Sequence, residues 1–511
     1  MLNQRPFPLL RKLALSLFFF TLLLTVLPPI SLVVQAQAPQ QESQAPIQQL
    51  RGFWADAYNP GFRNADQVDE MMDNIARANA NTLFIQMRRH GDVWYNNGLE
   101  PRSNDSQLAP ASKFDPLAYA IERGHAKGIS VHAWLVISVA CPGANTQWGN
   151  PQHVCTEHGP SAQGTERWTT ADYAGHQIGD LDFGHPGSVV YMEQIVQNLL
   201  KNYPSLDGIH FDFIRFGWSD HGYNSVSLDF YRRKYGLEAD FRPKPDAALW
   251  SQWRRDRITE LVRRLYIRIK VINPQVQVSA ATVSWGGIGT YSANDWSNSA
   301  ASKTVFQDWK AWLQEGILDF ALPMHYFDEG KAENRKWYDG WLKWDRENTG
   351  RRTIVVGMGS WLNSRAQNIA QAERALVTDS QGRQLSGVAF YSYNQPFYGG
   401  GFEQRRQFMD ELRNTIFKQP ARAPVWPWIA YPTKGHLQGI ASIDGQMIPF
   451  AVISLLKDGQ WVRDLTASAD GWYGTVDLDP GTYTVAVRDK EKGHTAEYQV
   501  LVEAGLVTNG P

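Results

Sequence analysis

Only two cysteines occur in 511 residues, Cys141 and Cys155, and their spacing lacks the close CxxC pairing of thiolate metal sites. Charge of one sign is missing too: 50 Lys and Arg stand against 51 Asp and Glu, a formal net charge of −1. Nucleic-acid binding needs a basic footprint that displaces counterions, so no nucleic acid is expected as a partner. No run of like charges suggests a polyelectrolyte tail. No GxGxxG follows a strand-like run and no phosphate loop is present, so the motifs of dinucleotide and nucleotide enzymes are absent. There is no GxSxG elbow either. No cofactor is implied.

Aromatic residues are plentiful instead, with 20 Trp, 20 Tyr and 23 Phe. Most such rings belong in a core, but ring faces exposed in a groove also hold sugars. At the N-terminus Arg5, Arg11 and Lys12 precede an uncharged stretch over 13–38 that closes on Ala36 and Ala38. That is the pattern of a signal peptide over 1–36, cut after Ala36 because a cut after Ala38 would leave Pro39 first. The run is long enough to span a bilayer, so an uncleaved anchor is the alternative; a cleaved chain has no stable membrane insertion. No Cys follows it, which excludes a lipoprotein anchor. On both readings the bulk of the chain is exported, periplasmic or extracellular. In such a compartment Cys141 and Cys155 read as a local disulfide pinning one loop.

Residues 37–49 are rich in Gln and Pro and read as a flexible linker. From Arg51 onward, short apolar runs lie at 52–57, 82–88, 129–137, 207–213, 276–284, 318–325, 353–359 and 387–393. Amphipathic stretches separate them. Met192, Val196, Leu199 and Tyr203 form one helical stripe, and Pro186 suits the first turn of that helix. Further helical patterns lie at 66–79, 115–127, 247–272, 301–315, 332–346, 365–377 and 402–416. This alternation predicts an α/β fold, a (β/α)8 TIM barrel with long loops over 50–418, in preference to an open doubly wound sheet. Residues 419–433 hold four prolines and no period, a linker packed through its Trp residues. Short alternating runs and turn signals over 434–511 predict a small β-sandwich.

In a TIM barrel, active residues come from the carboxyl ends of the strands and the loops after them. Period-two alternation turns Ile209, Phe211 and Phe213 outward and His210 and Asp212 into the barrel. An imidazole and a carboxylate buried there need partners or a function. The same test selects Trp54 and Asp56 on strand one, Gln86 and Arg88 on strand two, and His132 and Trp134 on strand three. It also selects His325 on strand six, followed by Tyr326, Asp328 and Glu329. Carboxylates, donors and an aromatic wall without an activated Ser or Cys fit glycoside hydrolysis. One acid protonates the leaving oxygen, and one carboxylate attacks or activates water.

Asp212 is then the candidate nucleophile or base. Glu329 or Asp328 is the candidate acid, facing Asp212 across one cleft, with Asp56 behind them. Trp54, Trp94 and Trp134 are expected to line a groove. His210, Gln86, Arg88, Arg215, His325 and Tyr326 are expected to position sugar hydroxyls of a glycan partner. Two other readings stand beside this one. A non-catalytic glycan-binding barrel is favoured if only one carboxylate stands at the strand ends. A metal-dependent hydrolase would use His210, Asp212 and His325 as ligands, although strand one lacks the HxH of metal-dependent barrel hydrolases.

Seven segments occur in order: RGFWAD at 51–56, FIQMRRHGDVWY at 84–95, HAW at 132–134, LDFGHP at 181–186, LDGIHFDFIRF at 206–216, WLQEGILDFALPMHY at 312–326 and VAFYSY at 388–393. Through them the chain resembles the bacterial glycosyl-hydrolase-like family ten domain. The resemblance implies a (β/α)8 barrel, a secreted or periplasmic location and glycan hydrolysis, with peptidoglycan strands as a known substrate class. Asp212 falls on that family's strand-four Asp. The WDxxNE segment of true family ten xylanases is absent, so xylanase is not implied. Near the C-terminus, DGWY at 470–473 and LDPGTYTVAV at 478–487 resemble the β-sandwich modules related to the carboxypeptidase regulatory domain. That resemblance implies a fold and leaves the role open.

Overall fold

A computed structural model describes residues 47–141, 150, 153–289, 292 and 295–511. Eight parallel strands form its centre: β1 (Leu50–Ala55), β2 (Thr82–Arg88), β3 (Ser130–Val136), β4 (Gly208–Asp212), β5 (Gln277–Thr282), β6 (Phe320–His325), β7 (Val356–Gly359) and β8 (Gly387–Tyr391). They pair in chain order, and β8 closes on β1 with Tyr391 opposite Trp54. The main helices are α1 (Ala65–Arg77), α2 (Pro116–His125), α3 (Pro186–Asn202), α4 (Ser225–Tyr235), α5 (Ala248–Ile272), α6 (Trp309–Glu315), α7 (Ala332–Glu347), α8 (Arg365–Leu376) and α9 (Phe402–Asn414). All eight expected strands are present, and the fold is the (β/α)8 barrel with C-terminal antiparallel sheets. The expected signal peptide over 1–36 and the linker up to residue 46 lie outside the described residues. Within that linker's last residues, Ile47–Gln48 pairs in parallel with Ala421–Arg422.

Two helices differ from expectation. The 301–315 pattern is broken: one wide turn at Ala300–Thr304 is followed by Phe306 at φ +57° before α6 begins. The break frees Gln307, whose side chain accepts the Val283 N–H at 2.7 Å and donates to the Ala281 carbonyl at 3.3 Å. It thereby caps the carboxyl end of β5. Helix α4 was not anticipated, because its apolar face is narrow and packs on a satellite cluster of Trp250 and Trp253 through Tyr231. Its ends carry their own signals: Asn224 caps the start and Gly236, at φ +62°, closes the end.

Outward residues such as Phe53, Ile85, Leu135, Phe211 and Val278 join the helices in one core. The lumen is a second core of Leu50, Trp54, Phe84, Trp134, Phe320, Leu322 and Ala389. Glycine makes room for its large rings. A Cβ at Gly357 would stand 2.9 Å from the Trp54 ring, and one at Gly208 2.2 Å from His132 Nδ1. Trp426 and Ile429 close the amino end of the lumen, Trp426 donating to Gln277 at 2.7 Å and Trp428 to Asp319 at 2.8 Å. The Pro-rich stretch is therefore the barrel's floor as well as its exit.

The C-terminal region folds as two main sheets, β9 (Gly435–Ile440) beside β12 (Trp472–Leu478) and β15 (Val507–Asn509), and β10 (Val452–Lys457), β11 (Gln460–Thr466), β13 (Gly481–Arg488) and β14 (Thr495–Val502), with a short ribbon pairing Ser442–Ile443 with Gln446–Met447. Leu437, Ile453, Leu455, Val485 and Val487 form its own core. Trp472 and Val476 belong instead to the barrel core, against α5. Arg264 of α5 lies over Trp472 at 5.2 Å and bonds Asp470 at 2.7 Å and Glu193 at 2.8 Å. Trp472→Ala should cost about 3–5 kcal/mol, the usual loss for a buried indole. The measurement is the urea midpoint of one shared transition. Two separate transitions with the barrel's midpoint unmoved would show that the core is not shared.

Candidate active site

Asp212 ends β4, and two N–H groups fix its carboxylate. Trp134 Nε1 donates to Oδ2 at 3.1 Å, and the Phe213 amide donates to Oδ1 at 2.7 Å. Phe213 holds φ +48°, a left-handed conformation rare for a non-glycine residue. This turn aims the Asp212 carboxyl at the barrel mouth while Phe211 stays in the outer core. Burial raises the carboxyl above its ordinary pKa, a shift that Arg215 and the two N–H donors reduce without reversing. The Arg215 guanidinium has no carboxylate within 4 Å among the described residues. It rests on the Phe213 ring at 4.2 Å and the Trp285 ring at 5.4 Å.

Beyond β3, the chain continues beside Asp212. Ile137 N–H donates to the Asp212 carbonyl at 2.8 Å and Ser138 N–H to the Phe213 carbonyl at 3.2 Å. On the other side of the same residues, Leu181 N–H donates to the Ser138 carbonyl at 2.8 Å, and Val139 bridges Asp180. Asp180 thus pairs with the same extension of β3 as Asp212, three residues beyond Val136, the partner of Asp212. Burial pushes its carboxyl up as well, while the charges of His221 and Arg215 pull it down. The disulfide expected from the sequence is present, Cys141 to Cys155 with Cα atoms 5.6 Å apart. It pins the hairpin that carries Asp180, because Cys141 N–H donates to the Gly179 carbonyl at 2.9 Å. A Cβ at Gly179 would lie 1.9 Å from the Cys141 carbonyl oxygen, so glycine is required there.

The floor of the mouth is aromatic. Tyr391 meets Trp134 edge-on at 6.1 Å and stacks on Tyr326 at 5.7 Å, and Trp361 meets Tyr326 at 4.8 Å. Asp212 bears electrostatically on both phenols, which burial keeps protonated. Asp56 also bears on Tyr391, and its Oδ1 accepts the N–H groups of Tyr58 at 3.0 Å and Asn59 at 3.1 Å. At the rim, Trp218 and Trp285 lie 5.9 Å apart and Tyr58 stands across the loop after β1; Trp218 and Tyr58 are each 58% exposed.

Of the residues selected from the sequence, Asp212, Trp134, Arg215, Tyr326 and Asp56 converge here. The others are corrected. Trp54 lies deep in the lumen, its indole donating to His210 Nε2 at 3.0 Å, and His210 Nδ1 meets Ser279 Oγ at 2.9 Å. Trp94 is fully buried against Phe62 and below the Arg63 guanidinium. Gln86 is used up holding the Ala57 N–H at 2.8 Å. Arg88 is fully buried and forks onto Glu100 with two bonds of 2.7 Å, a pair that ties the loop after β2. His325 points the other way, into α7, where Nε2 meets Asp345 at 2.7 Å. Its imidazole therefore cannot share an ion with Asp212, which undoes the three-ligand metal arrangement.

Neither acid after β6 faces Asp212. Glu329 sits between α7 and α8, held by Arg374 at 2.7 Å, Gln371 at 3.0 Å and Arg335 at 3.2 Å. Asp328 accepts the Gly330 N–H at 2.9 Å and meets Lys331 at 3.3 Å, tying up the turn before α7. Asp180, Trp218, Trp285, Tyr58 and Tyr391 escaped the sequence reading. Trp218 and Trp285 follow strands four and five, so the strand-end rule extended a few residues into the loops finds them. Asp180 abuts the LDFGHP segment but lies on an inserted hairpin that no strand periodicity announces.

A family model described as glycosyl hydrolase-like 10 matches residues 49–372. Glycosyl hydrolase DigH of Escherichia coli is 25% identical over 353 residues, covering 62% of this chain and 74% of that protein. Glycosyl hydrolase YngK of Bacillus subtilis is 23% identical over 381 residues, covering 70% of this chain and 68% of that protein. Among solved structures, the catalytic domain of the β-amylase from Paenibacillus polymyxa aligns over 72% of this chain and 99% of its own, with TM-score 0.49 and 9% identity.

The buried imidazoles give a pH test. Burial drops His132 to about 4 and holds His210 well below the ordinary imidazole range, so both stay neutral in the fold. Unfolded histidine titrates near ~6.5. Between those values the unfolded chain binds more protons, so this stabilisation is complete above pH ~6.5 and is lost as pH falls. His132 alone should remove about 2–3 kcal/mol by pH ~4.5. Urea titrations from pH ~7 to ~4.5 check this, and His132→Gln should flatten the slope. An unchanged slope in that variant would place the titration elsewhere.

Proposed function

The chain belongs to the glycosyl hydrolase-like 10 family, and we propose that its barrel mouth hydrolyses glycosidic bonds of a polysaccharide with Asp212 and Asp180 as the carboxyl pair. One observation carries this: the two carboxyls flank the same extension of β3, and both bear on Arg215. Two N–H donors and the charge of Arg215 oppose the burial that raises Asp212 and favour its carboxylate, the form a base needs. No hydrogen bond within the described residues stabilises the ionised carboxyl of Asp180, and burial favours its protonated form, which an acid needs.

In the reaction, Asp180 gives its proton to the glycosidic oxygen as that bond breaks. A water on the opposite face of the ring attacks the anomeric carbon and loses its proton to Asp212. The open placement of the pair, flanking the β3 extension and offset along it, favours the ~6.5–9.5 Å of an inverting pair over the ~5–5.5 Å of a retaining one. Arg215 and the phenols of Tyr326 and Tyr391 donate to sugar oxygens, and Trp218, Trp285 and Tyr58 offer ring faces to the chain. The substrate class we propose is peptidoglycan glycan strands, met outside the cytoplasm after export on the 1–36 segment. The glycosyl hydrolase names of the two relatives support the reaction class.

Asp212→Asn should lower kcat by roughly 10³-fold or more on peptide-free peptidoglycan strands, with the melting temperature nearly unchanged. Asp180→Asn should lose activity on those strands yet recover it on an aryl glycoside, whose leaving group needs no proton. Product NMR should show the inverted anomer first. Binding of strands by the unaltered chain with no turnover would favour the non-catalytic glycan-binding barrel. Loss of the aryl-glycoside reaction in Asp180→Asn would remove Asp180 from the acid's role.

A further inference from the structure

At the amino end of the barrel, opposite the mouth, a cleft of about 560 Å³ opens between the barrel floor and the C-terminal sheets. Four cations border it: Arg351, Arg352, Lys434 and Arg463. Two carboxylates accompany them, Asp477 and Asp479. Asp477 is taken by Arg352 at 3.1 Å and lies 3.7 Å from Arg351, and Asp479 is paired with Lys434. Among the described residues, Arg463 bonds only Thr475 Oγ1 at 2.7 Å and the Val476 carbonyl at 3.3 Å. The cleft therefore holds an excess of two positive charges, four against two.

An orphaned donor lies in the same wall. His436 is 9% exposed, and its Nδ1 accepts the Asp477 N–H at 3.3 Å, which puts the ring proton on Nε2. That N–H has no hydrogen-bond partner among the described residues. Burial drops the ring's pKa to about 4, so it is a neutral donor at ordinary pH. The cleft is also aromatic on one side. Trp428 is stacked on Trp426 with rings 5.5 Å apart and 12° from parallel, under the Arg352 guanidinium at 4.9 Å, and Tyr431 is 76% exposed.

We propose that this cleft is a second saccharide-binding site, selective for sugars that carry a carboxylate. Arg463 and Arg351 supply the cations for the carboxylate, and the His436 N–H a donor to a sugar oxygen. Tyr431 supplies a ring face for the C–H side of a sugar, beside the edge of Trp428. The two acidic side chains decide between anion types. They accept sugar hydroxyls, but they would repel the dianion of a phosphate. The site lies at the barrel's far end from Asp212, so it holds a glycan without depending on turnover at the mouth.

The test is calorimetry on the full chain at low salt with three probes: trigalacturonic acid, maltotriose and inorganic phosphate. Trigalacturonic acid should bind at least roughly tenfold more tightly than the other two, about 1.4 kcal/mol. Tyr431→Ala and, separately, Arg463→Gln should each weaken it by roughly tenfold, while Asp212→Asn should leave it unchanged. Tyr431 is largely exposed, so its replacement keeps the test valid if the Arg463 variant folds poorly. Equal binding of maltotriose, equal binding of phosphate, no binding at all, or loss of binding in Asp212→Asn would each overturn the proposal. Failure of catalysis with binding intact would instead fall on the mouth alone.

Discussion

The candidate site depends on the backbone of residues 137–139, three residues past the last barrel pairing of β3. On one edge they accept the register of Asp212 and Phe213, and on the other they carry Leu181 and Asp180. A barrel strand normally ends where its neighbours end, and here it runs on as a short shared ladder. Main-chain hydrogen bonds therefore fix the backbones that carry the two carboxyls. The disulfide at Cys141 and the glycine at 179 hold the outer edge of that ladder. Precision at the mouth is thus built from loops that are tied as firmly as the barrel itself.

Below the mouth, the lumen pays for its polar content with neutrality. Trp54, His210 and Ser279 form one hydrogen-bonded line across the barrel, and Phe84 packs on both His210 and His132. Charged imidazoles would be unsupported there, because the nearest carboxylates are spoken for. Asp319 is shared among Lys270, Tyr266 and Trp428, and Asp207 binds His125 and the Val131 N–H. The same logic explains Arg88 and Glu100, and His325 and Asp345. Each is a buried pair turned away from the mouth, so each positions the barrel and offers nothing to a substrate there.

The C-terminal sheets are more than an appendage. They share Trp472 and Val476 with the barrel core and bind Arg352 through Asp477, so the barrel floor is finished by a second region of the chain. That junction sets cations and a neutral donor around a cleft.

The amino-acid sequence by itself determined the alternation of eight strands and their helices, because apolar spacing at periods of two and 3.6 is a local property. It also determined the disulfide, and Asp212 as an inward carboxyl at a strand end. Trp134, Arg215, Tyr326 and Asp56 were legible for the same reason, each lying at or just past a strand's end. Only the tertiary structure decided which polar residues were already satisfied. Glu329 finds Arg374 and Gln371 on a neighbouring helix, His325 finds Asp345 at 2.7 Å, and Arg88 finds Glu100. Each of those partners comes from a separate element, or from beyond a turn that periodicity does not describe. Asp180 was hidden for the converse reason. Its neighbours in space, Val139 and Arg215, are brought to it by an inserted hairpin, and pairing across a long loop is set by the closed fold and not by any repeat in the chain.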